Sequence, residues 1–416
     1  MITIENAVDV AGLAITHTIP SNQNFTLDAK GLMLLPGLID PHVHFRTPGL
    51  THKEDWQTAA RAALAGGYTT VFDMPNTLPP TITAAYLSEK KTIINAQLHA
   101  AKIPLRYELF FGADKNHLTE IAEVAKEVIG IKVFMGCSTG NLVIDDDESL
   151  QAVFKIATAH DLIVAVHAED EHAIRANKAN FKGKLDYPQH SELRNIEVAT
   201  IAVKKAIDYA RFYSTRLYIL HVSSLDEIAL IRAAKEEGLK VYAETTPHHL
   251  FLNESAYGDL QGFAVVNPPL RAARHNQAVL DAINAGIIDT IGSDHAPHTR
   301  AEKEQAYGAC PSGMPGIETT LPLLLTAYHR GLIDLATILR ITVHNPRQIF
   351  RLTPNDDVVL VDLNLTKKVD NNALHTKCQW SAFAGLELQG WPRYTIVQGQ
   401  CFAEGLPLKT TIAASS

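Results

Sequence analysis

Residues 37–45 read GLIDPHVHF, an apolar and β-branched run that ends on two histidines spaced two apart. Side chains alternate between the faces of a strand, so this spacing predicts that the imidazoles of His42 and His44 point the same way. Seven further runs share that character: YTTVFDM at 68–74, RYELFFG at 106–112, GIKVFMG at 130–136, LIVAVHA at 162–168, RLYILHV at 216–222, LKVYAET at 239–245 and DTIGSDH at 289–295. Stretches of helical period lie between them, such as DWQTAARAALAG at 55–66 and LDEIALIRAAKEEG at 225–238. Alternating strands and helices build a parallel sheet, and eight such units over roughly 260 residues match the size of a (β/α)8 TIM barrel. The expected fold class is therefore α/β, with the barrel over residues 37–354.

Outside that range the pattern changes. Residues 1–36 and 355–416 carry short alternating segments, such as VVLVDLNL and RYTIVQGQ, punctuated by Pro, Asn and Gly. They predict one small β-rich domain built from both ends of the chain, with few strands coming from the brief N-terminal part.

Composition excludes several classes of function. The 416 residues are 46% hydrophobic and 20% charged, enough for one large core or a core plus a small domain. Asp and Glu outnumber Lys and Arg by 45 to 37, and no stretch gathers the cations, so a nucleic-acid partner is not expected. The four cysteines, Cys137, Cys310, Cys378 and Cys401, are widely separated and form no CxxC pair, which argues against a disulfide framework or a zinc finger. No apolar run approaches the ~20 residues that span a bilayer, and MITIENAVDVAG has no signal-peptide pattern. A cytoplasmic protein without membrane association is expected.

The 19 histidines point to chemistry, because several crowd into PHVH, TPHHL and SDHAPH. In a TIM barrel the active site forms at the C-terminal ends of the strands. Several runs here stay apolar until that end and then place a polar group there: His42 and His44, Lys132, His167, His221 and Asp294. Imidazole nitrogen and carboxylate oxygen suit zinc, and these residues are enough for two metals. Lys132 is the odd member. An ammonium among Ile131, Val133 and Phe134 is costly to keep charged, so desolvation favours the neutral amine. Such an amine takes up carbon dioxide as a carbamate, an anion able to bridge two metals.

With those residues in place, the chain resembles the amidohydrolase superfamily from about Leu35 to Phe350, and dihydroorotases are its nearest branch. The segments that carry the resemblance are LPGLIDPHVHFRTPG, AGGYTTVFDMPNT, GIKVFMG, VHAED, TPHHLFL, NPPLR, SDHAPHT and PSGMPGIETTLPLLL. The resemblance implies two Zn2+ held by His42, His44, Lys132, His167, His221 and Asp294, with Lys132 carboxylated. It implies reversible hydrolysis of the cyclic amide of dihydroorotate to N-carbamoyl-aspartate, with ring closure serving de novo pyrimidine biosynthesis. Relatives are often dimers, so a homodimer is expected. Asp294 is expected to accept the proton of the attacking water and return it to the leaving ring nitrogen.

Dihydroorotate carries a carboxylate, which requires a cation and donors in the pocket. Arg46 supplies a planar fork two residues beyond His44, expected on the same strand face. The resemblance adds Asn76 and His298 to that grip, and backbone groups near Asn267 and Gly313 as contacts to the pyrimidine ring. Allantoinases of similar sequence typically carry a DMPLN-like turn and a Cys where His298 stands, and hydantoinases usually lack the Arg. Each residue also has a plainer reading: Arg46 as a surface ion-pairing group, Asn76 as a turn residue after Pro75, His298 as a loop histidine. His248 and His249 read as structural. Ser138, Thr139, Gly140 and Asn141 suggest a mobile cover or an ordinary loop with equal weight. Thr47 stands where an acidic residue is common in dihydroorotases, and Ala382 and Ala384 depart from the family's SPFEG. A non-catalytic scaffold is disfavoured because all the expected ligands are present.

Overall fold

The computed structural model describes residues 1–137 and 142–408. Eight consecutive strands form one sheet in chain order: β5 (Leu38–Val43), β6 (Tyr68–Asp73), β7 (Arg106–Gly112), β8 (Gly130–Phe134), β9 (Ile163–His167), β10 (Arg216–Ile219), β11 (Val241–Thr245) and β12 (Thr290–Ile291). The pairs are parallel, and the barrel closes where Val43 bridges His295 and the His44 N–H donates to the His295 carbonyl at 2.8 Å. This is the α/β TIM barrel expected from the repeated strand and helix pattern.

The strand period decides which residues face inward. On β9, Val164 and Val166 pack outward against the helices, while Ile163 and Ala165 join an inner cluster with Ile39, Phe72, Phe110 and Tyr218. His167 continues that inner face one step nearer the rim. On β8, Ile131 and Val133 pack outward, which leaves Lys132 facing in. Phe350 closes the opposite mouth of the barrel, edge-on to Phe72 at 4.9 Å and to Tyr218 at 5.0 Å between ring centroids. The interior is thus a packed core below and a polar rim above.

The second sheet has eight strands, and its composition corrects the expectation that the N-terminal part supplies few of them. β1 (Ile2–Val8), β2 (Ala14–Ile19), β3 (Phe25–Asp28) and β4 (Met33–Pro36) join β13 (Val358–Lys368), β14 (Glu387–Val397), β15 (Gln400–Ala403) and β16 (Leu406–Pro407). Tight turns fit four short strands into so few residues. After β1, for example, the Asp9 carboxylate accepts from the Ala11 and Leu13 N–H groups, and Gly12 takes φ +79°. Ile2, Ile4 and Ala7 then bury against Val358, Leu360 and Ile396, so both chain ends share one core. Among the described residues no helix is long and apolar enough to cross a membrane.

Candidate active site and metal centre

At the C-terminal rim, one arm of the site is built on β5 and the segment after β12. His42 is the last inward residue of β5, and the strand ends at Val43, so His44 follows just beyond it. His42 Nε2 lies 3.3 Å and His44 Nε2 3.2 Å from the same oxygen, Asp294 Oδ1. The ligand atoms of these three buried groups all lie within 4.8 Å of one another.

The outer nitrogens of both rings are already committed. His42 Nδ1 lies 2.7 Å from Glu244 Oε1, and His44 Nδ1 lies 2.8 Å from Asn76 Oδ1. Those oxygens can only accept, so each Nδ1 carries the proton. With Nδ1 as the donor, a neutral ring has its lone pair on Nε2, and both Nε2 atoms point at the Asp294 carboxylate. Burial is the main force pulling His44 down to about 3, which keeps its ring neutral. Lone pairs converging on one point repel unless an electron-pair acceptor lies between them, so the donor set fits a metal cation.

The opposite arm is built on β9 and β10. His167 Nδ1 lies 2.9 Å from His221 Nε2, and His167 Nε2 lies 2.9 Å from Glu169 Oε2. Arg194 also donates to that Glu169 oxygen. Burial lowers the pKa of both His167 and His221. Lys132 is buried rather than reaching solvent, with Nζ 4.6 Å from the Phe134 ring centroid, and burial pulls its amine down to about 7. The carboxylates of Asp294 and Glu244 act against that lowering. Lys132 thus faces the barrel interior at the rim, on the strand beside that of His167.

Backbone strain accompanies this convergence. His221, Asp294 and Arg46 have φ of 40°, 44° and 61°, in the left-handed region that non-glycine residues rarely occupy. Gly292 permits the close approach of β5 and β11, because a Cβ there would lie 2.7 Å from the Glu244 carboxylate and 2.8 Å from His42 Cβ.

Beside His44 and Asp294, a cavity of about 30 Å³ is lined by Arg46, Asn76, Asn267, Ala296, Ser312 and Gly313. Arg46 is buried, which rules out the surface ion-pair reading. The expectation from the spacing, that Arg46 shares a strand face with His44, is not met. β5 has already ended, and the left-handed turn at Arg46 swings its side chain into the cavity. There Arg46 Nε donates to the Pro297 carbonyl at 3.0 Å. Burial pulls its pKa down to about 10, still charged at neutral pH. Asn267 Oδ1 accepts from His190 Nε2 at 3.0 Å, which turns the asparagine's side chain back toward the protein. Gly313, at φ +132°, packs where a Cβ would come 2.7 Å from the Ala296 carbonyl. His298 lies behind Arg46, outside the cavity lining, with Nε2 at 3.1 Å from Arg46 Nη2. His249 is tied to Thr246 Oγ1 and to the Pro268 carbonyl, a structural role. The residues suggested as a cover, Ser138, Thr139, Gly140 and Asn141, lie outside the described residues.

Sequence reasoning passed over Glu244 and Glu169, although the strand period marks the first. Glu244 lies two residues beyond Tyr242, which packs on the inner cluster, and Glu169 lies two beyond His167. The rule that picked out Lys132 applies equally to Glu244.

Residues 33–401 match the amidohydrolase family. A dihydroorotase from Methanosarcina acetivorans is 34% identical over 398 residues, covering 91% of this chain and 84% of that protein. A dihydroorotase from Halobacterium salinarum is 36% identical over 381 residues, covering 89% and 86%. Among solved structures, an L-hydantoinase from Arthrobacter aurescens superposes with a TM-score of 0.91 at 26% identity, covering 98% of this chain and 97% of that one. The match along nearly the whole barrel, together with these relatives, places the chain in the amidohydrolase family.

Proposed function

We propose that the protein is a zinc-dependent dihydroorotase, opening the cyclic amide of dihydroorotate to N-carbamoyl-aspartate and closing it in the biosynthetic direction. The observation that carries this reading is the placement of Arg46, a buried guanidinium sharing one small cavity with His44 and Asp294. A buried cation is costly without an anion, and a planar fork beside the cleavage site matches a substrate carboxylate. The dihydroorotase relatives support the same assignment. The likeness to a hydantoinase structure concerns the fold, which by itself does not select a substrate.

In this reading His42, His44, Lys132, His167, His221 and Asp294 would hold two zinc ions. The Lys132 amine attacks carbon dioxide, forms an N–C bond and releases one proton, and the resulting carbamate supplies two oxygens. When bound, the metals lower the pKa of water and polarise the amide carbonyl. Arg46 and Asn76 take the carboxylate, and backbone groups at Asn267 and Gly313 orient the ring. Glu244, Asn76 and Glu169 fix the imidazole tautomers so that the inner nitrogens face the site. Asp294 takes the proton from the attacking water as the C–O bond forms, and delivers it to the ring nitrogen as the C–N bond breaks. A homodimer in the cytoplasm is proposed with this function.

The test is a side-by-side assay of dihydroorotate, allantoin and hydantoin with purified protein of measured zinc content. Dihydroorotate should be preferred by at least about 100-fold, because a site built around a charged group leaves it unpaired with the other rings. Faster turnover of hydantoin or allantoin would assign the chain to another cyclic amidase.

A further inference from the structure

Behind the cavity, two cations flank one histidine. His298 is fully buried. Its Nδ1 lies 3.0 Å from Lys53 Nζ, and its Nε2 lies 3.0 Å from the Ser312 carbonyl and 3.1 Å from Arg46 Nη2. Lys53 pairs in turn with Glu302 Oε1 at 2.8 Å. Glu302 is fixed by the capping box of the helix Arg300–Lys303, where it accepts from the Thr299 N–H and hydroxyl, both at 2.9 Å. The next residue, Lys303, donates to the carbonyls of Val265, Pro311 and Gly313. The short helix therefore braces both sides of the cavity's far wall.

An ammonium has three donors and no lone pair, so Lys53 can meet Nδ1 only if that nitrogen is unprotonated. The proton of the neutral ring is then on Nε2, consistent with the Ser312 carbonyl, which can only accept. Arg46 Nη2 is also donor-only, so its contact with Nε2 at 3.1 Å brings two N–H groups side by side rather than forming a hydrogen bond. With the other tautomer, Nε2 would accept from Arg46, tying up the guanidinium and presenting no donor of its own.

We infer that Lys53, held by Glu302, is a positioning residue that locks His298 in the Nε2–H tautomer, so that His298 and Arg46 form a donor-only pair selective for a carboxylate. The inference rests on the substrate reading above. It assigns the preference for a carboxylated ring to a residue outside the cavity. The Nε2–H now rests on the carbonyl of Ser312, a residue of the cavity lining, and a carboxylate that replaces or shares that acceptor draws on both the His298 N–H and Arg46.

The test uses the zinc-loaded full chain and a pair of planar inhibitors, orotate and uracil, which differ by the carboxylate. Lys53→Met keeps the alkyl stem and removes the donors. It should raise the Ki of orotate about tenfold and leave that of uracil within twofold. The KM for dihydroorotate should rise to match, with kcat within about threefold. Lys53→Arg, still donor-only, should recover most of the loss. Equal weakening of both inhibitors, or no rescue by arginine, would show a merely structural lysine and overturn the inference. Should Lys53→Met not fold, ¹⁵N spectra of histidine-labelled wild type decide the matter, with His298 assigned by its loss in His298→Asn. Protonation at Nδ1 would refute the lock. Failure of the wild type to turn over dihydroorotate would instead remove the substrate reading, leaving the tautomer measurement intact.

Discussion

The two ends of the barrel differ in a way that runs against cavity size. Beside the N-terminal ends of β6 and β7 lies an opening of about 850 Å³, lined by Asn95, Lys102, Arg106, Glu108 and Gln398 among others. Its charged groups are partly exposed, and Arg106 is paired with Asp357 at 2.7 Å. At the other end a cavity of only about 30 Å³ adjoins buried groups whose lone pairs converge. Chemistry follows convergence and desolvation, since field strength and metal affinity come from fixed groups removed from water. Roominess alone supplies neither.

Breaking the rim should therefore be costly, in graded amounts. Asp294→Ala should reduce kcat by roughly 10³-fold while some zinc is retained, measured by steady-state assay with metal analysis. Arg46→Met should raise the KM for dihydroorotate about 100-fold, and Arg46→Lys should recover little, because a point charge does not replace the fork. Glu244→Gln and Glu169→Gln should each weaken zinc binding by roughly 10- to 100-fold in chelator competition, through loss of the groups that orient His42 and His167. Reconstitution of the metal-free protein with zinc and carbon dioxide should slow roughly eightfold from pH 7.5 to pH 6 at fixed CO2 pressure. The Lys132 amine, held at about 7, is protonated below that pH, and an ammonium has no lone pair to attack with. A pH-independent rate would argue against the carbamate. At the opposite end, Lys102→Met and Glu108→Gln should each leave kcat/KM within about twofold, and a larger effect would break the contrast between the two ends.

The barrel was legible because its signal is local and repeated. LIVAVHA states its own period, and the histidine falls on the inner face by alternation alone. The small second sheet was less so, since β3 and β4 are four residues each and gain their identity only by pairing with β1 and β13. Arg46 shows a different limit. Its residue type and place were readable, but the path into the cavity was not, because β5 stops three residues earlier than a continued strand face requires.

The sequence by itself determined the order of the eight barrel strands and which of their ends carry His, Lys and Asp, since both follow from the two-residue period and a count of units. Only the tertiary structure decided which nitrogen of each ring faces the site. That choice depends on Glu244 meeting His42 across 202 residues of chain, and on Lys53 meeting His298 across 245. It depends also on left-handed turns at Arg46, His221 and Asp294. Proton placement and backbone strain are set by partners brought together through barrel closure, and no local pattern of side chains encodes them.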